Sequence, residues 1–287
     1  MIRFEPLDGP FGRAVHGVDL TEGIADTDLQ TLSAALYDHR LLVLKGQKID
    51  KEAFLEFGRK WGTPIPHVLD HLRMPGYPEL LGIGNTGAWA KKAEVRNGAA
   101  FWHTDQSYEA EPATATMLYA IKTPKVGGET LIADMKAAYD DLDDDMKHRI
   151  EALEAVHLYG ATAGQDIEKI AIPLINQEQI DAVPPVRHRL ARAHSVSGET
   201  ALFAVSGTAC AIDGMDDDAA RALIATLKAH AVQDKYVYRH AYEVGDIAIW
   251  DTQMTLHAAT PIEAADGEDT ERLLWRISVK GKPAIYQ

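Results

Sequence analysis

Residues 114–121 read Thr114-Ala115-Thr116-Met117-Leu118-Tyr119-Ala120-Ile121. The run is apolar, with β-branched and aromatic side chains, and has the length of a strand. Pro124 and Gly127-Gly128 then supply a turn, and Thr130-Leu131-Ile132-Ala133 reads as the next strand. Outward from this pair the pattern repeats. Arg13 to Leu20 is a short strand ending in a turn, and Leu41-Leu42-Val43-Leu44 is a continuous apolar run, as in a strand buried on both faces. Ala201 to Val205, Tyr236 to His240, Ile247 to Trp250 and Leu273 to Lys280 are further strands. Helical spacing starts at Thr27, with Leu29, Leu32 and Leu36 on one face and Asp26 as its cap. Asp50 to Trp61, 136–156 and 216–232 are also expected to be helical. Residues 62–100 are rich in Gly and Pro and read as a long loop; 160–184 form a second irregular insert. Short strands dispersed through both halves predict a mainly β fold with flanking helices, a sandwich or jelly roll, as one domain over 1–287.

The net charge of -14 argues against nucleic acid and against an anionic membrane surface. It also means that an anionic substrate needs local positive charge in its pocket. The single cysteine, Cys210, excludes an internal disulfide and a Cys-rich zinc site, which suits a reducing compartment. The first residues, Met1-Ile2-Arg3-Phe4-Glu5-Pro6, lack the apolar core of a signal peptide, and no apolar run is long enough to span a bilayer. A cytoplasmic homo-oligomer acting on a small molecule is the expectation.

Chemistry enters at Phe101-Trp102-His103-Thr104-Asp105. In an extended chain, His103 and Asp105 point to the same side and can grip one metal ion. Chance alone supplies about two His-x-acid pairs in a chain of this composition, so the motif gains weight only from context. Phe101 and Trp102 suggest burial, and a buried carboxylate needs a cation or hydrogen-bond donors. A distant third ligand would complete a facial triad with open positions. His257, amid apolar neighbours after a strand, is the best candidate; alone it would read as a hydrogen-bonded core histidine. His240, His194 and His188 lie close to arginines and are weaker. Arg272 and Arg276 share a face of the last strand among apolar residues, as a carboxylate-binding pair or as structural ion-pair partners of Asp269 or Glu271.

Taken together, these motifs resemble the taurine dioxygenase and phenoxyacetate dioxygenase group of iron(II)- and 2-oxoglutarate-dependent oxygenases. Trp102-His103-Thr104-Asp105, Gly127-Gly128-Glu129-Thr130, Gly245-Asp246-Ile247-Ala248-Ile249-Trp250-Asp251, His257 and the Arg272/Arg276 pair fall in that family's order. The resemblance implies a double-stranded β-helix with Fe(II), 2-oxoglutarate and O2. It implies that His103, Asp105 and His257 ligate iron, and that Thr130 and Arg272 hold the far carboxylate of 2-oxoglutarate. Arg276 would lie near the co-substrate or the prime substrate, His67 would contact substrate, and Trp102 and Phe203 would wall the pocket. Thr252 and Gln253 stand where the family often has Asn-Arg, and Ala99 where the taurine enzyme has a polar residue. Both departures argue against taurine.

The implied reaction is hydroxylation of an aliphatic C–H with release of succinate and CO2. Related halogenases lack the carboxylate that Asp105 supplies. Desaturation, epoxidation and cyclisation on the same scaffold remain alternatives, as do a zinc hydrolase with the same ligands and a non-catalytic binding module.

Overall fold

Leu41–Leu44 forms a strand in the middle of a nine-stranded sheet. Its side chains divide by parity, Leu42 and Leu44 joining one apolar cluster and Leu41 and Val43 another. The pleat sends successive side chains to opposite faces, so a wholly apolar run is what a sheet covered on both sides requires. The neighbouring strands obey the same rule. Met117 and Tyr119 oppose Leu118 and Ala120 in Ala115–Lys122; Ile247 and Ile249 oppose Ala248 and Trp250 in Ile247–Asp251; Ile277 and Val279 oppose Leu274 in Leu273–Lys280.

The computed structural model describes residues 1–87, 89–159 and 177–286. Across the large sheet the order is Arg3–Pro6, Arg13–His16, Leu41–Leu44, Ile247–Asp251, Ala115–Lys122, Leu273–Lys280, Tyr77–Gly84 and Arg73–Met74, with Thr63–Pro64 also pairing Leu273–Lys280. Only Arg13–His16 and Leu41–Leu44 run parallel; the other pairings are antiparallel. A three-stranded sheet of Val237–His240, Thr130–Asp134 and Thr255–Ala259 packs on it, with Ile132 meeting Leu41, Leu118 and Trp250 in the shared apolar layer. The chain passes from the large sheet to this smaller one after Lys122 and again after Asp251. This is a jelly roll. Glu154–His157 lies between Val186–Arg189 and Ala209–Ile212 in another sheet, and Ala191–Ala193 pairs with Thr200–Leu202.

Helices Asp26–His39 and Lys51–Trp61 cover the outer face of the large sheet through Leu29, Leu32, Leu36, Phe54, Phe57 and Trp61. Asp50 caps the second helix, its carboxylate accepting from the Ala53 amide at 2.9 Å. Asp26 is not a cap. Ala25 holds that position without a side-chain bond, and Asp26 lies in the first turn, where a negative charge still suits the helix dipole. Asp217–Ala231, capped by Asp216, buries Leu223, Ile224 and Leu227 against the smaller sheets.

Three sequence expectations change. The segment 62–100 is not one loop, because Tyr77–Gly84 forms an eight-residue strand against Leu273–Lys280. Pro78, Gly82 and Gly84 hide its strand character. The stretch 136–156 splits into helices Met135–Asp140 and Asp144–Ile150, followed by the Glu154–His157 strand. The strand expected at 201–205 ends at Leu202. Of the insert at 160–184, residues 160–176 lie outside the described residues, and Gln177–Ala182 is a short helix. Among the described residues, no helix is long and apolar enough to cross a membrane.

The large sheet makes a stability prediction. Ile249→Ala, at a fully buried position of the central strand, should lower the unfolding free energy by about 2–5 kcal/mol in urea titration. Val126→Ala, on an exposed turn, should change it by less than about 0.5 kcal/mol. Equal effects would refute the two-sided burial of that strand.

Candidate metal centre

His103 and His257 are distant in sequence but form one antiparallel bridge. The His103 amide donates to the His257 carbonyl at 2.8 Å, and the His257 amide returns the bond at 2.9 Å. Their rings lie 4.2 Å apart between centroids. Two residues on from His103, and therefore on the same side of the extended chain, Asp105 completes the group. Its Oδ1 is 3.7 Å from His103 Nε2, and its Oδ2 is 3.6 Å from His257 Nε2. One ligand atom from each residue lies within 4.8 Å of the others. Among the described residues, no other group of His, Cys, Asp and Glu meets this condition.

The imidazoles are oriented before any ligand arrives. His103 Nδ1 lies 2.8 Å from the Phe101 carbonyl, which can only accept, so Nδ1 carries the proton and Nε2 keeps its lone pair for the centre. The His257 ring packs against Trp250 at 4.7 Å between centroids. Burial lowers the pKa of both histidines, that of His257 to about 3, so both are neutral at ordinary pH. Burial pushes the Asp105 carboxyl up, yet Arg276, His257 and His103 together with the Thr116 hydrogen bond hold it well below the usual carboxylate range. Neutral imidazoles and an ionised carboxylate are the forms that ligate a divalent metal. Two imidazoles and one carboxylate on one side also leave room for other ligands, so this donor set fits iron(II).

The sheet's parity explains what surrounds Asp105. Thr116 and Ser278 face inward from adjacent strands, in the pair Thr116–Ser278 of the register. Thr116 Oγ1 donates to Asp105 Oδ2 at 2.7 Å and lies 3.0 Å from Ser278 Oγ. Arg276 shares that face, and its Nη2 reaches Asp105 Oδ1 at 2.7 Å and Ser278 Oγ at 2.8 Å.

A cavity of about 200 Å³ opens beside the triad. Leu69, Leu72, Leu81, Ile83, Val95, Phe101, Tyr108 and Tyr159 give it a largely apolar wall; His67, Arg272 and Arg276 add polar groups. His67 Nδ1 accepts from the Leu69 amide at 3.1 Å, and burial together with the nearby Arg276 charge lowers its pKa to about 3. Arg272 is 3% exposed, and among the described residues no carboxylate pairs with it. Its Nε donates to the Gly128 carbonyl at 2.8 Å, and its amide to Asn85 Oδ1 at 2.7 Å. Two glycines make this packing possible. A Cβ on Gly84 would meet the Arg272 carbonyl oxygen at 1.9 Å, and one on Gly128, at φ +75°, would meet Arg272 Cδ at 2.9 Å. An unpaired buried guanidinium facing a cavity calls for an anion, so the far end of this site fits a carboxylate.

The other expected site residues are placed differently. Thr130 is buried and does not itself line the cavity; its hydroxyl lies 2.9 Å from that of Tyr242, whose ring lies 5.9 Å from the Arg272 guanidinium carbon. Trp102 and Phe203 do not line the cavity. Trp102 alternates with Phe101 and His103 and so points away, into the apolar cluster under the small sheets. Phe203 is buried beneath the Arg192 guanidinium, 4.6 Å from its ring centroid. The rival histidines are also elsewhere: His194 is 3.3 Å from Asp251, His188 lies against Phe203 and His240 against Tyr242. Thr116, Tyr108, Tyr159 and Tyr242 were missed from sequence. Thr116, a hydroxyl residue at an inward position of an apolar strand, was the one with a readable signal.

The family model described as "Taurine catabolism dioxygenase TauD, TfdA family" matches residues 3–278. The chain is 32% identical over 269 residues to an alpha-ketoglutarate-dependent 2,4-dichlorophenoxyacetate dioxygenase from Cupriavidus pinatubonensis, covering 88% of this chain and 90% of the relative. It is 29% identical to pentalenolactone F synthase from Streptomyces arenae, covering 91% of each. In three dimensions it matches AAD-2, solved in complex with Mn(II) and N-oxalylglycine, with a TM-score of 0.79, 26% identity and 98% of each chain covered.

Buried neutral histidines beyond the triad generate a pH prediction. Burial lowers the pKa of His157 to about 3 and that of His240 to about 4. An unfolded histidine titrates near 6.5, so below that pH the unfolded chain takes up protons that the native state refuses. Stability is therefore fully present above about pH 6.5 and is lost as the pH falls toward the folded values. Between pH 6 and pH 5, His157→Gln should lose about 1 kcal/mol less unfolding free energy than the parent chain, measured in urea. Identical losses would show that His157 is not buried in its neutral form.

Proposed function

The chain belongs to the TauD, TfdA dioxygenase family and is an Fe(II)- and 2-oxoglutarate-dependent dioxygenase, and on that premise we propose that it hydroxylates an aliphatic C–H of a small anionic molecule. The observation that carries this reading is a group of three ligand atoms within 4.8 Å of one another beside a largely apolar cavity, whose wall holds His103 and Asp105 of the triad together with a buried, unpaired Arg272. Iron(II), with 2-oxoglutarate and O2, supplies the oxidising power, and 2-oxoglutarate leaves as succinate and CO2.

In this reading His103, Asp105 and His257 are the iron ligands, with the two Nε2 atoms and the carboxylate as donors. Thr130 and Arg272 hold the far carboxylate of 2-oxoglutarate, a geometry suited to the planar guanidinium. The complex of AAD-2 with Mn(II) and N-oxalylglycine supports a divalent metal and a dicarboxylate as the ligands of this fold. Arg276 serves the prime substrate. Its contacts with Asp105 and Ser278 both use Nη2, which leaves Nε and Nη1 for an acid group. His67, on the same wall, is the second polar contact. The leucines, Ile83 and the Tyr108–Tyr159 pair, at 4.6 Å between centroids, surround the apolar body and exclude water from the reacting C–H. We take residues 1–287 as one such domain, acting in the cytoplasm, where the lone half-buried Cys210 stays reduced. The Streptomyces relative is named as a synthase, which supports a second reading, a biosynthetic reaction on the same scaffold such as desaturation, epoxidation or cyclisation, which product analysis separates from hydroxylation.

The first test is anaerobic reconstitution with iron(II) and 2-oxoglutarate. A weak visible charge-transfer band should appear, and His103→Ala should abolish it; a band that survives removes His103 from the ligand set. Arg272→Ala should raise the Kd for 2-oxoglutarate by roughly 30-fold or more while the band still forms at saturation. Thr116→Val should weaken iron(II) binding by about 10- to 100-fold, because the carboxylate loses the hydroxyl that orients it. A set of small carboxylates, sulfonates and sulfate esters should then include a compound that triggers succinate release.

A further inference from the structure

The strand register sets Thr130 opposite His240 on one side and, on the other, opposite Ala259, which lines the cavity. Ile132, two residues along, lies opposite His257. Thr130 and His257 therefore share a face on diagonal positions, about 7–8 Å apart, a distance that a five-carbon dicarboxylate bridges. A hydroxyl at Thr130 is suited to the far carboxylate only if its proton points there.

The residue that meets the Thr130 hydroxyl is Tyr242. Its hydroxyl is 2.9 Å from Thr130 Oγ1, and either atom can donate. Its ring lies 5.9 Å from the Arg272 guanidinium carbon, within cation–π range. His240 holds the ring edge-on at 4.3 Å, and both His240 nitrogens are buried without a hydrogen-bond partner among the described residues. Burial raises the Tyr242 pKa to about 12, so the phenol keeps its proton throughout the working range. A phenol that donates to Thr130 leaves the Thr130 proton free for a ligand.

We infer that Tyr242 is a positioning residue for 2-oxoglutarate, which turns the Thr130 hydroxyl toward the far carboxylate and backs the Arg272 guanidinium. This rests on the reading of Thr130 and Arg272 given above. It assigns a third side chain to the recognition of the dicarboxylate, one that acts without touching it.

The test uses the 287-residue protein loaded anaerobically with iron(II). Tyr242→Phe keeps the ring and removes only the hydroxyl. It should raise the Kd for 2-oxoglutarate by roughly tenfold, read from the charge-transfer band and from calorimetry. The affinity for oxalate, which chelates metal but has no far carboxylate, should not change, and neither should that for iron(II). In a Thr130→Ala background, Tyr242→Phe should have little further effect, because the two hydroxyls act in series. An unchanged 2-oxoglutarate Kd, an equal loss for oxalate, or full additivity with Thr130→Ala would overturn the inference. Arg272→Ala and Thr130→Ala are run in parallel. If they weaken 2-oxoglutarate binding and Tyr242→Phe does not, only the tyrosine's role fails; if none does, the reading of the co-substrate end fails with it.

Discussion

A single buried carboxylate governs the centre of this protein. Asp105 has almost no contact with water, and an ion so placed must be neutralised by its neighbours. Arg276 and Thr116 each take one oxygen at 2.7 Å, and both come from the inward face of adjacent strands. That requirement fixes the parity of Ala115–Lys122 and Leu273–Lys280, because a slip of one residue would turn both side chains toward the helices. It also accounts for the two imidazoles, which lie against the same carboxylate as neutral donors. Burial alone would disfavour the charge; its partners keep it, and a divalent cation is the partner that the remaining geometry accommodates.

The fold was legible wherever both faces of a strand are buried. Leu41–Leu44, Ala115–Lys122, Ile247–Asp251 and Leu273–Lys280 carry long apolar runs because apolar layers cover both sides. Tyr77–Gly84 was not legible, since Gly84 is there to admit the Arg272 backbone and Pro78 suits a position near the sheet edge. At 136–156, Asp144 and Asp145 open a new helix, yet their acidic composition is continuous with that of the helix before it. Local composition does not show where one short helix stops and the next begins.

For the centre itself, His103, Asp105 and His257 were found because their residue types are few and their order is distinctive. The place of Trp102, outside the cavity, follows from the sequence itself. If His103 faces the centre, its neighbour in an extended chain faces away. Thr116 was readable by the same rule. Tyr242 was not, because its partnership with Thr130 depends on how two strands of a separate sheet pair, and no local pattern encodes that register.

The two-sided burial of the large sheet has a further consequence. Leu42, Leu44, Met117, Tyr119, Ile249 and Ile277 belong to the layer beneath the helices, whereas Thr116, Arg276 and Ser278 project from the opposite face. The strand backbones act as a partition between two populations of side chains that rarely meet. Volume-conserving changes on the helix side act on stability, whereas changes on the chamber side act on the reaction. A lineage built on this plan can explore robustness and substrate choice as separate traits.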